Sequence, residues 1–118
     1  MLFRSVAAAA ELLDRSAVTL LQLEIPLEAA MRAAQLAAHR LILNPAPARA
    51  LPAELLSVVD VLVPNRSELA QLAGVEPPAT IEAAAAAASE LSGPGAVVVT
   101  LGADGALVIV RKIGRAHV

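Results

Sequence analysis

The stretch VLVPNRSELAQLAG, residues 61–74, joins a run of apolar and β-branched residues to a helical pattern through Pro-Asn-x-x-Glu. The apolar run favours a buried strand, and Pro64 ends it because proline has no N–H for a sheet. Asn65 followed by Glu68 is the pattern of a capping box, in which each side chain accepts the other residue's backbone N–H. Gly74 is a residue type that commonly ends a helix. The stretch therefore predicts a strand that passes directly into a short helix.

Short apolar runs and helical spacing alternate on both sides of this stretch. Helices are predicted at 6–13, 27–40, 52–58, 66–72 and 81–91, and strands at 17–23, 41–43, 61–63, 96–101 and 106–110. This alternation predicts parallel strands joined by right-handed crossovers. The strands are continuous apolar runs, which is typical of a sheet covered on both faces. The predicted fold class is α/β, a three-layer, mostly parallel sheet flanked by helices.

The segment TLGADG, residues 100–105, predicts a tight turn between the last two strands. Asp104 and Gly105 are expected to supply the positive φ angles of that turn. The last two strands are therefore expected to form a C-terminal β-hairpin.

The composition excludes several classes of function. The 118 residues are 58% hydrophobic with one Phe, no Trp and no Tyr, so the stacking platforms of single-stranded nucleic-acid binders are missing. A net charge of -2 provides no basic surface for nucleic acid or membrane lipid. Without cysteine there is no disulfide or thiolate metal site, and His39 and His117 are isolated. The N-terminal apolar run is interrupted by Glu11 and Asp14, so a cytoplasmic protein is expected.

In open parallel sheets, ligands bind beyond the carboxyl ends of the strands. The polar and glycine residues predicted there are Glu24, Asn44, Asn65 with Glu68, and Thr100 with Gly102. Glu24 is either a solvated acid at a strand end or a carboxylate that accepts hydrogen bonds from substrate hydroxyls. Asn65 and Glu68 either cap a helix only or also order a hydrated Mg²⁺ near phosphates. Neither GxxxxGK(S/T) nor GxGxxG occurs, so no common phosphate loop supports a nucleotide site.

Three segments in this order resemble the PfkB-type carbohydrate kinase family: LLQLEIPLEAAMRAA (20–34), LILNPAPARALPAELLSVVDVLVPNRSELAQLAG (41–74) and GAVVVTLGADGAL (95–107). The QLE-x-PLE and NPAPA stretches resemble ribokinases more than fructokinases or nucleoside kinases. The resemblance implies a ribokinase-like fold with Rossmann-like layering over residues 1–111. It also implies ATP-dependent phosphorylation of the 5-hydroxyl of ribose.

The resemblance implies a role for each candidate residue. Glu24 would contact the sugar, Asn65 the nucleotide phosphates, and Glu68 would order Mg²⁺ and phosphate. The residues expected along ATP are Thr100, Leu101, Gly102, Ala103, Asp104 and Gly105. The implied cofactors are ATP and Mg²⁺, and the implied partners are a small sugar and ATP, with no nucleic acid and no membrane.

The family's N-terminal lid strands, its glycine-rich sugar motif and its later Gly-Ala-Gly-Asp motif have no match in the sequence. In the family that last motif provides the anion hole and the catalytic base. We therefore expect a fragment that is inactive alone, and no catalytic residue is predicted within it. Residues 112–118 match nothing in the family, and IGRAHV resembles a translated sequencing adapter, so a non-native tail is expected. The family's subunits pair through the lid strands, so a homodimeric parent protein is implied by the resemblance alone.

Two other functions remain open from the sequence. One is a non-catalytic α/β module that binds a sugar or nucleotide. A receiver-type module would need clustered aspartates after the first strand, where this sequence has Gln-Leu-Glu. The other is a kinase of the same family that acts on another sugar. A Gly-Ala-Gly-Asp stretch further along the gene would distinguish a kinase from the binding module.

Overall fold

The computed structural model describes residues 6–111, in which helices and strands alternate. The strands are β1 (Val18–Leu21), β2 (Arg40–Leu43), β3 (Val61–Leu62), β4 (Ala96–Thr100) and β5 (Ala106–Val110). The helices are α1 (Ala10–Arg15), α2 (Leu27–Leu36), α3 (Ala53–Leu56), α4 (Arg66–Ala73) and α5 (Ile81–Glu90). A 3₁₀ turn, Gly102–Asp104, lies between β4 and β5. Within residues 6–111, no helix is long and apolar enough to cross a bilayer. The predicted tail at 112–118 lies outside the described residues.

The strands form one sheet in the order β1-β2-β3-β4-β5. The first four are parallel, and β5 pairs antiparallel with β4, from Ala96 opposite Val110 to Thr100 opposite Ala106. The mostly parallel sheet and the C-terminal hairpin are thus confirmed. Because each strand lies beside its predecessor, successive right-handed crossovers place their helices on the same face.

The core lies between that face and the helices. Its strand residues alternate along each strand and are Thr19, Leu21, Leu41, Leu43, Leu62, Val97 and Val99. Alanines of α2 and α5, together with Leu55 of α3 and Leu69 of α4, complete the same cluster. Small alanine side chains allow a helix to approach the sheet closely, so the alanine-rich segments of the sequence serve packing as well as helix propensity.

The opposite face of the sheet is open in the described residues. Val18 and Leu20 of β1 are 52% and 68% exposed, and Val108 and Val110 of β5 are 57% and 76% exposed. The predicted third layer therefore has no helix within residues 6–111. An apolar residue in a strand indicates a preference for β structure. In this sheet it does not by itself show that a helix covers that face.

Several element boundaries differ from the prediction, and two of the differences are explained by hydrogen bonds to other parts of the fold. The helix predicted to continue to residue 40 ends at Leu36, because the Arg40 N–H donates to the Ala17 carbonyl at 3.1 Å and Arg40 enters β2. The strand predicted at 17–23 ends at Leu21. Leu23 remains buried, but its N–H donates to the carbonyl of Ala46 at 2.9 Å, outside the sheet.

Candidate functional site

The predicted site residues gather at one edge of the sheet. Parallel strands β1 to β4 end at the same edge, and Glu24, Asn44 and Asn65 follow the first three of them while Thr100 ends the fourth. Polar groups on neighbouring loops are therefore available to one ligand.

Asn65 and Glu68 form the capping box that the sequence predicts. The Asn65 N–H donates to Glu68 Oε1 at 2.9 Å, and the Glu68 N–H donates to Asn65 Oδ1 at 2.8 Å. Asn65 is exposed, whereas Glu68 is only 9% exposed. Within residues 6–111, these bonds leave the amide Nδ2 of Asn65 and the Oε2 of Glu68 without a hydrogen bond. The cap thus still offers a donor and a carboxylate oxygen to a ligand.

The start of α4 lies directly beside the turn after β4. Asn65 and Thr100 pair in a parallel bridge beyond the ends of their strands, and the Thr100 N–H donates to the Pro64 carbonyl at 2.9 Å. Across the same junction, Arg66 Nη2 lies 3.0 Å from Asp104 Oδ2. The fold therefore joins two of the predicted nucleotide-contacting segments, which are distant in the sequence.

The turn itself differs from the prediction. The positive φ angles belong to Gly102 (61°) and Gly105 (91°), and no residue other than glycine has a positive φ within residues 6–111, Asp104 included. The 3₁₀ turn begins with one glycine and is followed by another because the chain reverses over five residues, and the Leu101 N–H closes the loop on the Gly105 carbonyl at 2.7 Å. A Cβ built on either glycine meets no atom within 4 Å. The exposed side of this turn is thus open to a ligand.

Glu24 lies apart from this pair of segments. It is exposed after β1, and β1 is three strand spacings, about 14 Å, from β4. Two hydrogen bonds link the loops after β1 and β2. The Leu23 N–H donates to the Ala46 carbonyl, and Arg49 Nη2 donates to the Ile25 carbonyl at 3.2 Å. The structure therefore separates one end of the edge, with Glu24, from the other, with Asn65, Glu68 and Thr100.

Residues 2–117 match the sequence pattern of the pfkB family carbohydrate kinases. The chain belongs to this family. The resemblance read from the three sequence segments is therefore confirmed, together with the carbohydrate kinase class of its relatives.

Individual relatives within the family are ribokinases. The ribokinase of Haemophilus influenzae is 42% identical over 104 residues, which cover 84% of this chain and 33% of the relative. The structure of Arabidopsis thaliana ribokinase complexed with ribose and ATP matches with a TM-score of 0.82 and 29% identity, over 88% of this chain and 35% of that one. The ribokinase of Thermotoga maritima matches with a TM-score of 0.71 and 32% identity, over 88% and 35%. The chain spans about a third of the length of these relatives.

The residues of this family member fit one way of holding Mg²⁺. Within residues 6–111, no group of three or more His, Asp or Glu side chains could hold a metal. Mg²⁺ commonly keeps several waters and binds one or two carboxylates together with substrate phosphates. The unbonded Oε2 of Glu68 suits that arrangement, whereas the described residues do not provide a metal cage made of protein alone.

The arginines at the edge were not singled out by the sequence. Arg49 and Arg66 each reach a neighbouring loop, and the Nε of each is buried without a hydrogen-bond partner within residues 6–111. One signal was present for Arg66, since a cation in the first turn of a helix faces the positive end of the helix dipole. An arginine at this position is therefore expected to pair with a group from another part of the fold.

Proposed function

We propose that this chain is the central part of an ATP-dependent ribose kinase, which converts ribose and ATP to ribose 5-phosphate and ADP. The observation that carries the proposal is the Asn65–Glu68 cap, which retains a donor and a carboxylate oxygen beside the exposed glycine turn after β4. Membership of the pfkB family supports a sugar kinase. The relative solved with ribose and ATP supports these two substrates.

The nucleotide end of the site comprises α4 and the turn. Asn65 donates its Nδ2 amide to a phosphate oxygen, and the N-terminus of α4 favours the same anion through its dipole. Thr100, Gly102, Ala103, Asp104 and Gly105 are exposed and line the path of ATP, whereas Leu101 is buried in the core beneath them. The two glycines allow close approach because they carry no side chain.

Glu68 contributes through its free carboxylate oxygen. It would hold, through water, the Mg²⁺ that accompanies ATP, and that ion would supply positive charge against the phosphate oxygens. Its Oε1 is held by the Asn65 N–H at 2.9 Å, which fixes the carboxylate before the nucleotide arrives. A carboxylate held in this way would position the positive charge of the metal without reorganising during the reaction.

Glu24 holds the sugar at the other end of the edge. Its exposed carboxylate accepts hydrogen bonds from ribose hydroxyls, and its separation from the turn leaves room for the transferred phosphoryl group between them. Phosphoryl transfer also requires a group that accepts the proton of the attacking hydroxyl. We assign that group, and the anion hole, to parts of a longer kinase outside this chain.

The test is a comparison of two proteins. The full-length kinase should form ADP in a ribose-dependent manner, more efficiently with ribose than with fructose or a nucleoside, whereas the 118-residue chain should form none. A preference for another sugar would make that sugar the substrate in place of ribose and would leave the proposed phosphorylation by ATP unchanged. Ribose binding without ADP formation in the full-length protein would support a binding module and refute the kinase.

The cytoplasmic location and the homodimer implied by the resemblance belong to the same proposal. Cell fractionation and sedimentation of the full-length kinase test them separately from catalysis.

A further inference from the structure

An ion pair connects the two nucleotide-binding segments of the proposed site. Arg66, the first residue of α4, places Nη2 at 3.0 Å from Oδ2 of Asp104, the last residue of the 3₁₀ turn. The two residues are 38 positions apart in the sequence. The contact therefore exists only because β3 and β4 are neighbours in the sheet.

The stability of α4 does not explain why an arginine occupies position 66. A cation in the first turn opposes the helix dipole, and its Nε is buried without a hydrogen-bond partner within residues 6–111. The pair itself is partly solvated, with the Arg66 side chain 32% and the Asp104 side chain 64% exposed. Such pairs add little to stability. What the pair can determine is the position of the turn relative to the helix.

The base of the turn is held by the Thr100 N–H bond to the Pro64 carbonyl and by buried Leu101, but within residues 6–111 the tip of the turn has no side-chain bond to α4 other than the ion pair. Residues Gly102–Asp104 are exposed, and their backbone bonds join residues of the same loop, from Asp104 N–H to Leu101 and from Gly105 N–H to Gly102, both at 3.1 Å. The glycine that begins the turn and the glycine that follows it make the backbone permissive. Asp104 carries the one charged side chain of the turn.

We propose that the Arg66–Asp104 pair is a clasp that fixes the nucleotide-binding turn against the phosphate-binding end of α4. Arg66 is then a positioning residue for ATP, which acts through Asp104 and the turn instead of touching the phosphates. The inference rests on the proposed function, because the turn matters only if nucleotide lies along it.

A charge swap in the full-length kinase tests the clasp. The variants are Arg66→Asp, Asp104→Arg and the double variant that carries both. Each single variant places like charges opposite each other, so the KM for ATP should rise about fivefold, with the KM for ribose and the melting temperature nearly unchanged. The double variant should return the KM for ATP to near the original value. Arg32→Asp, the same charge change at an exposed position of α2, is the matched control and should change neither KM.

Two other roles predict different patterns. A general charge effect on the anionic nucleotide would raise the KM for ATP in Arg66→Asp and lower it in Asp104→Arg, whereas the clasp raises both. Direct contact of Arg66 with phosphate would leave the double variant as impaired as Arg66→Asp. Either pattern, or an unchanged KM for ATP in an active Arg66→Asp enzyme, overturns the clasp while the proposed function stands.

Amide hydrogen exchange separates the clasp from the proposed function. The N–H groups of Leu101, Asp104 and Gly105 should exchange faster in each single variant and recover in the double variant. If the unmodified kinase phosphorylates no sugar, the proposed function fails, and these rates still decide whether the pair holds the turn. Unchanged exchange in the single variants would overturn the clasp.

Discussion

Glu68 carries two roles with one carboxylate, since Oε1 closes the cap of α4 and Oε2 remains for a ligand. Glu68→Gln separates them, because a glutamine oxygen still accepts the Asn65 N–H but carries no charge. In the full-length kinase we expect a near-normal melting temperature. We also expect a shifted Mg²⁺ dependence and a kcat lower by about tenfold or more, which is about 1.4 kcal/mol of barrier.

The matched control for this prediction is another helix cap. Thr80 Oγ1 accepts the Ala83 N–H at 3.0 Å at the start of α5, in a segment that carries none of the candidate site residues. Thr80→Ala should lower the free energy of unfolding by about 0.5–2 kcal/mol and leave kcat unchanged. If Glu68→Gln, like Thr80→Ala, leaves kcat unchanged and also keeps the original Mg²⁺ dependence, the glutamate serves only as a cap.

Glu24 is expected to act on the sugar alone, because it lies at the opposite end of the edge from the turn. Glu24→Gln in the full-length kinase should raise the KM for ribose and leave the KM for ATP nearly unchanged, as steady-state kinetics with each substrate varied would show. Glu28→Gln, an exposed neighbour on α2, is the control. A raised KM for ATP with ribose binding intact would contradict the assignment.

At the scale of elements, the connection between α5 and β4 is tightly fitted. Gly93 has a φ of 113°, and a Cβ built there would lie 2.7 Å from the Leu56 carbonyl oxygen. Gly74, at the end of α4, has a φ of 70° and no atom within 4 Å of such a Cβ. Both glycines therefore need a positive φ, but only at Gly93 would a side chain also clash with a neighbouring backbone atom.

Alanine at each glycine measures that difference. Gly74→Ala should lower the free energy of unfolding of the chain by about 1–2 kcal/mol, the cost of a left-handed residue with a side chain. Gly93→Ala should cost about 1 kcal/mol more, because the Leu56 backbone must also move. Urea unfolding measures both. Equal losses would mean that the segment around Leu56 moves away at no cost.

At the scale of the whole molecule, one face of the sheet carries the helices and the other is open within residues 6–111. Adjacent residues of β1 report on the two faces, since Leu20 is 68% exposed and Leu21 is 8% exposed. In the 118-residue chain, Leu20→Lys should change the free energy of unfolding by about 0.5 kcal/mol or less. Leu21→Lys should cost about 3 kcal/mol or more, because it buries an unpaired charge. Similar losses at both positions in thermal unfolding would indicate that the outer face is covered.

The sequence by itself determined the features that depend on neighbouring residues. The capping box at Asn65, the Thr80 cap and the glycine end of α4 were all predictable, because each involves groups within a few positions of one another. The order of strands and helices followed from hydrophobic patterning for the same reason. The candidate residues at the strand ends were predictable once parallel strands were inferred, since all such strands end at one edge.

The tertiary structure alone decided where separate segments meet. The end of α2 at Leu36 depends on Arg40 pairing with β1, and the Asp60 carboxylate, which accepts the Leu41 N–H at 2.7 Å, depends on β2 lying beside β3. The Arg66–Asp104 contact likewise depends on β3 lying beside β4. The single helical layer of residues 6–111 follows from the order of strands in space, which apolar strand residues do not reveal. These features rest on contacts between residues far apart in the chain, whose partners are set only when the sheet assembles.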